Sequence, residues 1–224
     1  MNKKDRIHDS ISHLHDYCIN LESREVFLHS PIDSQEEDES GIDYRNSSMF
    51  IKNIKLLENM SKTQPIIVHA NVVGGIWENS MAIFDIISLS TCPIISISYS
   101  HARSMSSIIP QAADLRVISP NALFMIHEGT IYVSDTSKGA SSYIELNNKL
   151  STIMFDIYLE KCKNGKFFKG KTDRYIKRFL KNRMDQKQEW YITAQESVDY
   201  GFMDGVLGTK GFETIDILKE RLAE

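Results

Sequence analysis

Acyl transfer needs a nucleophile, a base within reach of its proton, a group that orients the base, and N–H donors for the oxyanion. The sequence offers candidates for each at the ends of predicted strands. Ser104 follows the β-branched run PIISISYS and opens a helical stretch, SMSSIIPQAAD. A serine at a strand-to-helix turn exposes its hydroxyl at a sheet edge. The backbone N–H groups of Ser104 and Met105 then point out of the first helical turn, where negative charge is stabilised. Alone, a serine at such a position is more often only an N-cap. Gly74 and Gly75 lie between the strand PIIVHAN and the helix WENSMAIFDIISL, and glycine permits positive φ and close approach of a ligand to the backbone. His127 closes the strand ALFMIHE. By default it is a surface or core histidine. Here Gly75, Ser104 and His127 share the C-terminal ends of three strands, the edge at which open parallel sheets build sites.

The elements that must position these residues alternate in type. Ile7, Ile11, Leu14, Cys18 and Leu21 recur at helical spacing, so residues 1–22 read as an amphipathic helix. REVFLHS follows as a strand, and the acidic run Glu36–Glu39 reads as a solvated loop. Asp43 caps a helix through Phe50, Ile54 and Leu57. Strands then alternate with helices of about ten residues, which implies βαβ crossovers and a largely parallel sheet. Pro110 should kink the helix that Ser104 opens. From Ser137 to Cys162 runs a long helical segment without proline. A second helix, TDRYIKRFLKNRM, sets Tyr175, Ile176, Phe179 and Leu180 on one side. Two helices after the last core strand suggest an arm that interlocks with another subunit. The basic cluster from Lys161 to Arg183, with Phe167, Phe168 and Tyr175 among it, is better read as a solvated face or subunit contact than as a nucleic-acid surface.

Composition narrows the classes. At 224 residues, 42% apolar and 25% charged, the chain suits one globular α/β domain. A net charge of −4 gives a nucleic-acid role no support, and three scattered cysteines suit a reducing compartment. No signal peptide and no run of ~20 apolar residues is present, which points to a soluble cytoplasmic protein off the membrane. His8, His13 and His15 do not share one helix face, so no metal site is expected. No cofactor is expected.

Taken in order, NVVGG at 71–75, ARSM at 102–105, PNALFMIH at 120–127 and TAQESVDYGFMDGVLG at 193–208 resemble ClpP, the proteolytic subunit of the caseinolytic protease. ESREVFL resembles the family's first core strand, so the likeness spans about Ser23 to Gly208. The resemblance implies the ClpP/crotonase-like fold of repeated β-β-α units with a projecting helical handle. Residues 23–136 and 185–210 would form the head, 137–184 the handle, 1–22 an N-terminal helix and 211–224 a tail. It implies a serine endopeptidase in which Ser104 attacks the scissile carbonyl, His127 is general base, and the N–H groups of Gly75 and Met105 form the oxyanion hole. Substrates would be unfolded polypeptides or peptides. The partners implied are further copies of the chain in stacked rings and a separate ATP-driven unfoldase.

The chain departs from that pattern in several places and looks divergent, similar to forms encoded by bacteriophages. The family's triad aspartate aligns with Glu189, one methylene longer, with Asp185 as the fallback. Ser106 stands where the family has glycine, Val73 stands where it has proline, and an amphipathic helix replaces the family's axial hairpin. These departures motivate one rival reading, a catalytically inactive scaffold subunit of the same fold. A second rival, a crotonase-fold acyl-CoA enzyme, rests on the shared fold, and the S-M and M-I-H pairing argues against it.

Overall fold

The computed structural model describes residues 3–29 and 41–222. The acidic run Glu36–Glu39 lies outside them. The chain begins with α1 (Lys3–Tyr17), which stops short of the stripe expected from the sequence. Cys18 takes φ +56° and ends it, and Ile19 and Asn20 form β1 instead. Next come β2 (Glu25–His29), α2 (Tyr44–Met60), β3 (Ile66–Asn71), α3 (Trp77–Ser88) and β4 (Ile94–Ser98). Asp43 caps α2 through the backbone N–H groups of Arg45 and Asn46, while Asn46 reaches back to the Asp43 N–H.

The run PIISISYS does not lead straight to Ser104. The chain leaves β4 at Tyr99 and re-enters a second sheet as β5 (His101–Arg103). The helix that follows is short. α4 (Met105–Ile108) passes into a 3-10 turn over Ile109–Ala112 with Pro110 at its start, so the proline ends the α-helical ladder where its missing N–H costs least. Then follow β6 (Leu115–Ile118), β7 (Leu123–Ile126), α5 (Ser137–Cys162), α6 (Asp173–Lys187), β8 (Trp190–Thr193), α7 (Ala194–Tyr200), β9 (Gly205–Val206) and α8 (Ile215–Arg221).

Two sheets result. The larger runs β1-β2-β3-β4-β6-β9 and is parallel except for β1; the smaller runs β5-β7-β8, with β8 antiparallel. Alternation along the strands separates two faces. Val26, Leu28, Ile66 and Val68 pack against Phe50, Ile54, Ile83 and Ile87 of α2 and α3. Ile67, Ile95, Ile97 and Val117 face the other way, onto Phe212 and Leu218, so the stretch expected to be a tail returns as α8 and covers the sheet. A third core joins the small sheet to α5, α6 and α7 through Phe124, Tyr158, Phe168, Ile176, Leu180, Trp190 and Phe202. The first half of α5 contributes little to it, and Tyr143, Ile144 and Leu146 are exposed. Among the described residues, no helix is long and apolar enough to cross a membrane.

One buried cation fastens the start of the large sheet. Arg24 donates to the carbonyls of Leu57, Ser61, Gln64 and Pro65, satisfying the end of α2 and the loop after it. Arg24→Ala removes four donated hydrogen bonds from a largely buried site. It should cost about 2–4 kcal/mol, read as a lower urea-unfolding midpoint at fixed protein concentration.

Candidate active site

Ser104 sits between the end of β5 and the start of α4, at φ +54° and ψ −132°. That combination costs a side-chain-bearing residue about 1–3 kcal/mol and persists only where neighbours enforce it. The enforcement comes from four hydrogen bonds made by Ser104, Ser106 and Ser107. The Ser104 N–H donates to the Met125 carbonyl at 3.2 Å, which ties the turn to β7. The Ser106 hydroxyl accepts from the Arg103 N–H at 2.9 Å and donates to the Arg103 carbonyl at 2.8 Å. The Ser107 hydroxyl donates to the Ser104 carbonyl at 2.6 Å. Ser104 itself makes no side-chain capping bond to α4, so the bland N-cap role does not occupy its hydroxyl. Its Oγ lies 2.8 Å from Nε2 of His127.

Gly75, Ser104 and His127 do not share one sheet edge, as the strand pattern suggested. Gly75 follows β3 of the large sheet, whereas Ser104 and His127 follow β5 and β7 of the small one. The edges converge at Gly74. A Cβ there would stand 2.8 Å from the Ser104 Cβ and 3.1 Å from the Met105 nitrogen, so the approach requires glycine. Gly75 is constrained from its other side. Ile42 donates to the Gly74 carbonyl at 2.5 Å and accepts from the Ile76 N–H at 3.0 Å. In this parallel bridge the Gly75 N–H faces away from Ile42. Gly75, Met105, Ser104 and His127 all line one cavity of about 370 Å³.

The acid is placed more loosely. Nδ1 of His127 is 3.9 Å from Oε1 of Glu189, an ion-pair distance beyond hydrogen-bond reach. The Glu189 side chain is 48% exposed against 21% for His127. Its other oxygen accepts from the Tyr191 hydroxyl at 3.0 Å. Gln188, at φ +56°, turns the chain off α6 to bring Glu189 round. Asp185 remains on the exposed part of α6; the acid brought to His127 is Glu189. Burial holds the His127 pKa below 6.5, with the Glu189 charge pulling it partly back up. A neutral imidazole beside a serine hydroxyl, with Gly75 and Met105 lining the same cavity, is equipped for acyl transfer.

A family model described as Clp protease matches residues 12–210. The chain belongs to the Clp protease family. Among its curated relatives, the ATP-dependent Clp protease proteolytic subunit 1 of Chlamydia abortus is 27% identical over 84% of this chain and 88% of its own length. The subunit 2 of Treponema denticola is 27% identical over 71% of this chain and 74% of its own. The proteolytic subunit of Deinococcus radiodurans is 24% identical over 84% and 81%. The mixed α/β architecture suits this Clp protease assignment, and the kind of enzyme expected from the four motifs stands with it.

Several residues of this Clp protease site escaped the sequence reading. Ser106 drew notice only as a replaced glycine. Ser107 carried one faint signal, its spacing of three from Ser104, which suits a hydroxyl bonding back to the i−3 carbonyl. Tyr191 lies two residues beyond Glu189, just inside β8. Tyr158, Ile108 and Met154 come from α4 and α5, and nothing local marks them.

His127 must be neutral to accept a proton, and its folded pKa lies below 6.5. The acid limb of kcat/KM should therefore have its midpoint below 6.5, with activity present above it and lost as pH falls through it. Glu189→Gln removes the upward pull. It should move that midpoint lower still and reduce the rate by about tenfold to a hundredfold. A pH profile of peptide hydrolysis checks both, and an unmoved midpoint would exclude electrostatic coupling between the two residues.

Proposed function

We propose that this chain is a serine endopeptidase with Ser104 as nucleophile. The observation that carries the reading is the 2.8 Å contact between Ser104 Oγ and His127 Nε2 at a strained turn whose hydroxyl is free of capping. His127 takes the serine proton as Oγ attacks the scissile carbonyl, and Glu189 stabilises the imidazolium that forms. The carbonyl oxygen becomes an oxyanion held by the N–H groups of Gly75 and Met105. His127 returns the proton to the leaving amine. Water then hydrolyses the acyl-serine by the same steps in reverse. The cavity beside Ser104 has a buried apolar floor, Met105, Ile108 and Met154, which suits an apolar substrate side chain.

The relatives are named as proteolytic subunits of ATP-dependent proteases, and we carry the assembly to this chain as part of the proposal. Copies would form stacked rings, with α5 and α6 as the arm between them, working on unfolded polypeptides in the cytoplasm. A separate ATP-driven unfoldase would deliver the substrate. Support comes from the apolar side chains left open around α5: Tyr132 is 91% exposed, and Ile131, Tyr143 and Ile144 lie near it in sequence. The loose placement of Glu189 favours one rival, a subunit that keeps the fold and assembles without catalysing.

A fluorophosphonate probe separates the two. The parent chain should label, Ser104→Ala should not, and His127→Ala should lose on the order of a million-fold in turnover. Sizing chromatography of the same samples reports assembly. An assembled parent that fails to label would remove the peptidase reading and leave the scaffold.

A further inference from the structure

Tyr158 and Ser107 are buried hydroxyl groups that the reaction itself does not consume. We propose that Ser107, braced by Tyr158, is a positioning residue of the oxyanion hole: it grips the Ser104–Met105 peptide by its carbonyl, so that the Met105 N–H on the same peptide faces the cavity. This rests on the peptidase reading above.

The Ser107 hydroxyl donates to the Ser104 carbonyl at 2.6 Å, and the Ser107 N–H donates to the same oxygen at 3.0 Å. Ser107 has one hydroxyl proton, and that bond uses it. The Tyr158 hydroxyl, 2.7 Å from Ser107 Oγ, is therefore the donor in their contact. Tyr158 is 1% exposed, and burial pushes its phenol well above the usual range, so it keeps its proton. The result is a directed chain from Tyr158 through Ser107 to the Ser104 carbonyl.

A trans peptide is planar, and its C=O and N–H point in opposite directions. Fixing the carbonyl in the core therefore aims the Met105 N–H outward, towards the cavity that Met105 lines with Ser104 and His127. A hydrogen-bonded carbonyl also polarises its amide and strengthens the N–H as a donor. The grip is itself anchored. Gln111 donates to the Ser107 carbonyl at 2.9 Å, and Arg116 donates to Gln111 Oε1 at 3.0 Å while pairing with Asp204. The nucleophile turn is thus tied to α5 on one side and to the segment before β9 on the other.

The test uses the full chain in its native assembly. Ser107→Ala should lower kcat by about tenfold to a hundredfold, less than the ~10²–10³ lost with a whole oxyanion donor, while KM stays within twofold. Affinity for a peptide boronate, which mimics the tetrahedral state, should fall by the same factor as kcat. Tyr158→Phe should give a smaller loss of the same kind. The Ser107→Ala/Tyr158→Phe pair should be no worse than Ser107→Ala, because the tyrosine acts through the serine. A change confined to thermal stability or assembled fraction, with kcat unmoved, would overturn the proposal. A readout independent of turnover separates this from failure of the peptidase reading. With the nine methionines ¹⁵N-labelled, the Met105 amide resonance should shift in Ser107→Ala whether or not the parent reacts with the probe. An unmoved resonance overturns the proposal in either case.

Discussion

The end of the large sheet and the nucleophile turn of the small sheet approach as closely as bare backbone allows, and the site exists only because they do. Gly74 is the point of contact. Any side chain there would collide with Ser104 or with the peptide that follows it. Gly75, pinned from behind by Ile42, then lines the same cavity as Met105, although one follows the large sheet and the other the small. The catalytic geometry is therefore an inter-sheet property. It depends on how two sheets are docked more than on either strand end alone.

The site is unevenly preorganised. On the nucleophile side, Ser106, Ser107 and Tyr158 are buried, hydrogen-bonded and rigidly packed. On the acid side, Glu189 is half exposed, follows a left-handed Gln188, and relies on the Tyr191 hydroxyl for a partner. Solvent and salt screen an exposed carboxylate. In the proposed reaction, more of the transition-state stabilisation would thus fall to fixed backbone dipoles than to the charge behind the histidine. A glutamate suits such an arrangement, because its tolerance in reach matters where the base is already held by burial.

Much of this was legible in the sequence because period and punctuation carry it. The β-branched runs, the Gly pair, the Asp43 cap and the helices at 77–88 and 173–187 all have local causes. Ser104 and His127 could be picked out because each lies at a strand end. Other features depended on tertiary pairing and left no local mark. PIISISYS reads as one strand, yet Tyr99 and Ser100 are where the chain changes sheets, a choice made by the partner strand β7. Helical spacing continued through Cys18 and Leu21, but pairing of Ile19 with Val26 won over it. Residues beyond Gly208 look featureless until Leu218 meets the underside of the sheet. Tyr158 sits fifty-one positions from Ser107, a separation no single-sequence pattern spans.

A nucleophile held at φ +54° leaves the molecule less stable than a glycine at that position would. Stability and activity therefore pull Ser104 in opposite directions. Without the two buried hydroxyls bracing it, the turn would relax. This chain keeps the strained serine and both braces, at 104, 106 and 107, together with the glycine that makes room for them. Such a turn stays in place only as long as the contacts around it hold it there.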